Sequence, residues 1–87
     1  MAVITKKIHP EYFELVKSGK KKFELRLADF EIKEGDLLVL EEWDPVKKEY
    51  TGRKMEKYAD YVLKFDLDLF GQKEEVIEKG LYVIQFE

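Results

Sequence analysis

The run Leu37-Leu38-Val39-Leu40 constrains this chain more than any other feature. Four consecutive apolar residues cannot alternate between core and water, so a strand built from them must be covered on both faces. Gly35-Asp36, immediately before the run, is a turn signal. The rest of the sequence therefore has to supply the cover.

Val3-Ile4 begins a short edge strand or an extended lead-in. His9-Pro10-Glu11 then reads as a helix start, with Pro at the first helical position and Glu in the first turn. Tyr12, Phe13, Leu15 and Val16 give an apolar helical face and Gly19 supplies the stop, which predicts a helix of about ten residues. Phe23, Leu25 and Leu27 alternate with Lys22, Glu24 and Arg26, the pattern of a half-buried strand, and Phe30 and Ile32 continue an extended segment. Beyond the central run, Trp43-Asp44-Pro45 opens a turn that Tyr50-Thr51-Gly52-Arg53 closes. A long strand is expected from about Lys54 to Phe65, with Met55, Ala59, Tyr61 and Leu63 on one parity. Asp66 to Gly71 reads as a loop, Glu74 to Lys79 as a short helical turn, and Leu81 to Phe86 as a last strand. One helix followed by five or six mostly antiparallel strands is an α+β pattern that suggests a small β-barrel with an attached helix.

Composition narrows the classes. No repeat, linker or low-complexity tract divides the 87 residues, so residues 1–87 are expected to form a single domain. Hydrophobic residues make up 45% of the chain, enough for a packed core at a length that buries about 60–65% of the unfolded surface. The absence of cysteine removes disulfides, thiolate zinc sites and a cysteine nucleophile together, and fits a reducing cytoplasm. No apolar run is long enough to span a membrane, and the N-terminus lacks the apolar stretch of a signal peptide. The charged fraction of 40%, chiefly Lys and Glu, and the lack of Asn match heat-adapted proteins, although ordinary solubility accounts for them as well. With a net charge of −3, any nucleic-acid binding must come from a local patch.

One such patch exists. Between Lys17 and Arg26 stand Lys17, Lys20, Lys21, Lys22 and Arg26, with Glu24 as the one acid among them. Strand periodicity sets Glu24 and Arg26 on one face, roughly 6.5–7 Å apart, within reach of one small ligand. Arg offers a planar fork for phosphate or a base edge, Glu accepts from an exocyclic amine, and Lys21 adds a point charge. A solvated, salt-bridged strand face would show the same spacing.

The segment from Ser18 to Arg26 fits the pattern Gly-x-Lys-x-x-Glu-x-Arg through Gly19, Lys21, Glu24 and Arg26, with Gly35-Asp36 nine residues on. It resembles the signature of the ASCH superfamily. Pro10-Glu11-Tyr12-Phe13, Gly35 to Leu40, Glu42-Trp43-Asp44-Pro45 and Tyr50-Thr51-Gly52-Arg53 resemble, in order and spacing, motifs of a branch of short phage and bacterial proteins known only as a domain of unknown function. The likeness covers residues 8 to about 65 well and the last twenty weakly; Phe30 stands where that branch often carries a second basic residue. The resemblance implies a PUA-like β-barrel that binds RNA or a modified nucleotide or nucleoside in a cleft beside the helix. Lys21, Glu24 and Arg26 would line the cleft, with Lys20 and Arg53 as further binding residues. A cytoplasmic monomer without cofactor or metal is the corresponding expectation.

Some ASCH proteins are amidohydrolases that deacetylate N4-acetylcytidine with a Lys and a Thr of this motif and a later Glu. Lys21 matches the lysine, but Glu24 stands at the threonine position. Thr5, Ser18 and Thr51 are the chain's only aliphatic hydroxyls, and none falls there. Lys21 and Glu24 could still activate water, with Glu74, Glu75 or Glu78 as third member. A non-catalytic protein-interaction module is the third reading.

Other residues carry two readings each. His9, the one histidine, is a proton shuttle or a helix N-terminal residue. Trp43, Tyr50 and Tyr58 stack on bases or pack the barrel. Arg53 extends a phosphate patch or is surface charge. Asp66 and Asp68 match no calcium-loop spacing and read as a solvated loop.

Overall fold

The computed structural model describes residues 1–65 and 73–87. Its elements follow the order β1 (Val3–Ile8), α1 (Pro10–Lys17), β2 (Phe23–Leu27), β3 (Leu37–Asp44), β4 (Glu49–Phe65), α2 (Lys73–Lys79) and β5 (Leu81–Phe86). The expected Asp66–Gly71 loop, including Asp66 and Asp68, lies outside the described residues.

The strands form one five-stranded sheet in the order β1-β3-β4-β5-β2. β1 runs parallel to β3, and the other three pairings are antiparallel. Leu37, Leu38, Val39 and Leu40 are all buried, as their uninterrupted sequence requires. The core gathers around Leu38, Leu40 and Ile84, with Phe13 and Val16 of α1 packed into it.

The sheet is not closed into a barrel. β1 and β2 remain its two edges, joined in sequence by α1. Where a closed barrel would carry a backbone ladder, a side chain bridges instead: the Arg26 guanidinium donates to the Lys7 carbonyl oxygen. The seam between those edges is where the candidate site forms.

Three local expectations change. The turn after Asp44 is tight: the Asp44 carboxylate accepts from the backbone N–H groups of Val46 and Lys47 (2.9 and 3.1 Å), so β4 begins at Glu49 and Tyr50–Arg53 are already strand. Within β4 a register shift between Ala59 and Tyr61 leaves Asp60 unpaired and reverses the facing. Ala59 is buried before it, Val62 packs on the core after it, and Tyr61 and Leu63 turn outward. One parity therefore does not hold along the strand.

The third change concerns β2. Its register pairs Glu24 with Ile84 and Arg26 with Tyr82, both core-facing residues of β5. Directly opposed residues share a face, so the charged parity of β2 points toward the core side. Phe23 and Leu25, expected on the buried face, are about half exposed.

Gly35-Asp36 has a structural task. Gly35 adopts φ +89°, a left-handed conformation that suits glycine. The Asp36 carboxylate accepts from the backbone N–H of Ala2 and of Lys33, both at 2.9 Å. Those amide donors hold its pKa below the ordinary carboxylate value. The motif thus fixes the start of β1 against the start of β3, at a different cleft from the Glu24 pocket.

Candidate functional site

The end of α1 sets the position of Lys21. Gly19 takes φ +81°, Ser18 turns its hydroxyl back to the Leu15 carbonyl, and the Lys21 N–H donates to the same carbonyl at 2.9 Å. The chain leaves the helix with Lys21 half-buried and enters β2 two residues later.

Glu24 is 4% exposed and accepts two charged hydrogen bonds. Lys21 Nζ donates to one oxygen at 3.0 Å and Arg26 Nε to the other at 2.7 Å. A buried carboxylate is tolerable only when paired and hydrogen-bonded in this way. The two cations keep partial access to solvent, with side-chain exposures of 20% and 24%.

These three residues line one open pocket of about 480 Å³ together with Lys7 and Ile8 of β1, and His9 and Tyr12 at the start of α1. Phe23 and Leu25 complete its rim. Lys21 and Arg26 bring two cations against the single carboxylate of Glu24, so the formal charge of the lining is positive on a chain that is acidic overall, while the ammonium of Lys7 lies over the Trp43 ring beside it. The Lys21 ammonium also stands 5.1 Å from the Tyr12 ring centroid and 5.3 Å from that of Phe23. The geometry offers anion attraction, aromatic faces and a fixed acceptor within one volume.

His9 sits at the N-cap of α1 with an extended backbone but makes no side-chain capping bond. Its ring lies nearly parallel to Tyr12 with centroids 6.5 Å apart, at the pocket wall. Lys20 is exposed and does not line the pocket. Thr5, Ser18 and Thr51 are likewise absent from the lining, as are Glu74, Glu75 and Glu78, three exposed residues of α2. Tyr58 is exposed opposite Leu37, away from this pocket. At Phe30 the Tyr82 ring packs edge-on at 5.1 Å and the Lys6 ammonium lies 4.0 Å from the ring centroid, so β1 delivers a cation beside that position. Among the described residues no cluster of His, Asp and Glu has the makings of a metal site.

Arg53 belongs to a separate network. Glu42, 3% exposed, accepts from Arg53 Nε at 3.0 Å, from Arg53 Nη2 at 2.7 Å and from the Thr51 hydroxyl at 2.5 Å. Arg53 Nη2 also reaches Glu14 of α1 at 2.7 Å, and the guanidinium stands 4.5 Å from the Phe13 ring centroid. Arg53 and Thr51 lower the Glu42 pKa, while Glu42 and then Glu14 raise that of Arg53 and keep it charged. The arrangement clamps α1 to the β3–β4 hairpin and places Arg53 between two carboxylates. The sequence signals for it, Glu14, Glu42 and Arg53, are too far apart to be read as a unit.

Lys7 is the residue that sequence reasoning missed. Its backbone carbonyl receives Arg26, and its ammonium lies 3.8 Å from the Trp43 ring centroid and 5.6 Å from that of Tyr50. One of two adjacent lysines on a short edge strand, it gives no local sign of either contact.

The solved crystal structure of hypothetical protein PH0355 superimposes with a TM-score of 0.72 at 21% identity, covering 100% of this chain and 98% of that one, which is a likeness of fold. An Escherichia phage P2 protein, described as an uncharacterized 12.9 kDa protein in the GpA 3′ region, is 48% identical over 50 residues. That match takes in 58% of this chain and 44% of the phage protein's length. The domain of unknown function DUF3850 matches residues 5–77, a span that includes Lys21, Glu24, Arg26 and Arg53. No described helix is long and apolar enough to cross a membrane. Because the match over residues 5–77 takes in most of its length, the chain belongs to the DUF3850 family.

Proposed function

We propose that this chain is an ASCH-type, PUA-like domain that binds RNA or a modified nucleotide in the pocket between β1, α1 and β2. The observation that carries the reading is Glu24, a carboxylate buried at the floor of a positively charged pocket and held by Lys21 and Arg26. Each carboxylate oxygen has two acceptor sites, and the two cations occupy one on each. The remaining capacity suits an exocyclic amine on a base edge, the donor type that Glu reads in cytosine. Lys7, Lys21 and Arg26 supply attraction for phosphate, and Tyr12 and Phe23 supply ring faces. The open seam of the sheet supports the same reading, because the ligand would occupy the place where a closed barrel has backbone.

The test is equilibrium binding of single-stranded RNA across a salt series. With Lys21 and Arg26 in the pocket and the Lys7 ammonium beside it, the slope of log K against log salt is at most about −2, and Arg26→Ala reduces it by about 0.7 while weakening binding. Salt-independent affinity, or no binding to any RNA or nucleotide tried, would sink the proposal.

A further inference from the structure

Resting on the pocket reading, we infer that the ligand is a single-stranded RNA of two or more nucleotides, with one base in the Glu24 pocket and the next on a platform formed by Trp43 and Tyr50. Lys7 joins the two places. Its carbonyl oxygen accepts from Arg26 at the pocket, and its side chain extends over the platform, with the ammonium 3.8 Å from the Trp43 ring centroid. The phosphate between the two bases falls to Lys7.

The platform is built by strand pairing. Trp43 on β3 and Tyr50 on β4 are register partners flanking the hairpin, and their rings meet edge to face at 4.9 Å and 77°. Lys7 pairs with Glu41, two residues before Trp43 on β3, so Trp43 lies roughly 7 Å along the strand from the residue beside Lys7. Tyr50 is 50% exposed and Trp43 half-buried, so the pair is firmly set yet accessible. The nearby carboxylate of Glu41 is flanked in register by Lys7 and Lys54.

In the unliganded protein the Lys7 ammonium covers the Trp43 face. An exposed cation–π contact is worth about two- to fivefold in an equilibrium constant. Stacking of a base on an aromatic ring is worth about five- to a hundredfold. A base therefore displaces the ammonium, which swings on its flexible stem to the phosphate that arrives with it. The exchange gives the Trp43–Tyr50 corner a ligand-dependent role that packing alone does not.

Trp43 is the chain's single tryptophan, so its fluorescence reports on the platform without any substitution. Titration with ribonucleoside monophosphates and with a mixed-sequence single-stranded RNA of about ten nucleotides separates the two subsites. The RNA is expected to bind at least about tenfold more tightly than the monophosphates and to quench Trp43, which the monophosphates leave unquenched. Tyr50→Ala is expected to weaken RNA about tenfold while leaving monophosphate affinity within about twofold of wild type. Equal affinities without quenching overturn the platform and leave the pocket reading standing. Quenching by RNA that is unaffected by Arg26→Ala overturns the pocket reading and the two-base arrangement with it. Absence of binding by either probe overturns both.

Discussion

Replacing Glu24 with glutamine alters one atom and removes one charge, and the structure sets what that costs. The carboxylate accepts from Lys21 at 3.0 Å and from Arg26 at 2.7 Å from a position that is 4% exposed. A glutamine oxygen can serve one of those cations, but its NH2 group then faces the other, donor against donor. One charge-assisted hydrogen bond is lost, and the other weakens to a bond with a neutral acceptor. Such bonds contribute about 1.5–3 kcal/mol each. Both cations retain access to water, with side-chain exposures of 20% and 24%, and recover part of the loss by rehydration. The net destabilisation is then about 1–3 kcal/mol, toward the lower end of what breaking a fully buried pair costs. In a domain of this size each kcal/mol moves the midpoint by about 4–8 °C, so Glu24→Gln should unfold about 5–20 °C below wild type by circular dichroism. Lys21→Met, which keeps the Arg26 bond and the aliphatic stem, should cost about 1 kcal/mol. The double variant should show positive coupling, because once the carboxylate is gone Lys21 has no partner left to lose. A Glu24→Gln midpoint within about 2 °C of wild type would refute the reasoning, since a buried carboxylate serving two cations cannot be neutralised at no cost.

Glu42 and Asp36 both have depressed folded pKa values, so the stability they contribute is fully present above their ordinary values of 4.5 and 3.8. It is lost as pH falls through the lower folded values; Glu42→Gln should be less stable at neutral pH and show a shallower acid limb in urea titrations from pH 7 to about pH 3. Burial raises the Tyr82 pKa above 10.0, and its hydroxyl donates to the Phe30 carbonyl at 2.7 Å, so this contribution is present below pH 10.0 and lost as pH rises through the folded value. Tyr82→Phe should cost about 1 kcal/mol near neutrality and flatten the alkaline limb. Leu38, fully buried in the interior strand β3, should cost about 2–5 kcal/mol as Leu38→Ala in the same unfolding assay. Because no aliphatic hydroxyl lines the pocket, N4-acetylcytidine incubated with the protein should yield no cytidine by chromatography, and turnover would put the amidohydrolase reading ahead of simple binding.

What could be read in the sequence was local. Pro10 and Gly19 bracket α1 through fixed backbone preferences, and Leu37–Leu40 identify a doubly covered strand because no alternative facing exists for them. Lys21, Glu24 and Arg26 could be grouped because two and three residues of separation place side chains on one side of a turn and strand start. The facing of β2 could not be read that way. Alternation says which residues share a face, and the register with Ile84 and Tyr82, nearly sixty residues on, says which face is inside. Hydrophobicity alone chooses Phe23 and Leu25 for the interior, and the register overrides it. Similarly, the shift at Asp60 reverses the parity of β4 without any glycine or proline to announce it. Arg53 reads from sequence as a phosphate contact or a surface cation because the carboxylates that hold it, Glu42 and Glu14, come from β3 and α1.

The two buried carboxylates, Glu24 and Glu42, show why burial and pairing are not by themselves the mark of a site. Both are almost inaccessible, both accept from an arginine, and both lie beneath α1's neighbourhood of the sheet. Glu42 is met by Thr51 and by the Nε and Nη2 edge of one guanidinium, whose Nη2 also reaches a second carboxylate, Glu14. That network has two acids to one cation and ties a helix to a hairpin, so an arriving anion would meet net negative charge. Glu24 has the opposite balance, two cations to one acid, and its arginine spends its remaining contact on a backbone carbonyl that carries no net charge. The Glu24 trio therefore keeps a positive excess that opens to solvent through an aromatic-rimmed pocket. A structural ion pair is complete without a ligand, whereas this one leaves an excess of positive charge with partial access to solvent, and that asymmetry is the physical reason to look for RNA here rather than at Arg53.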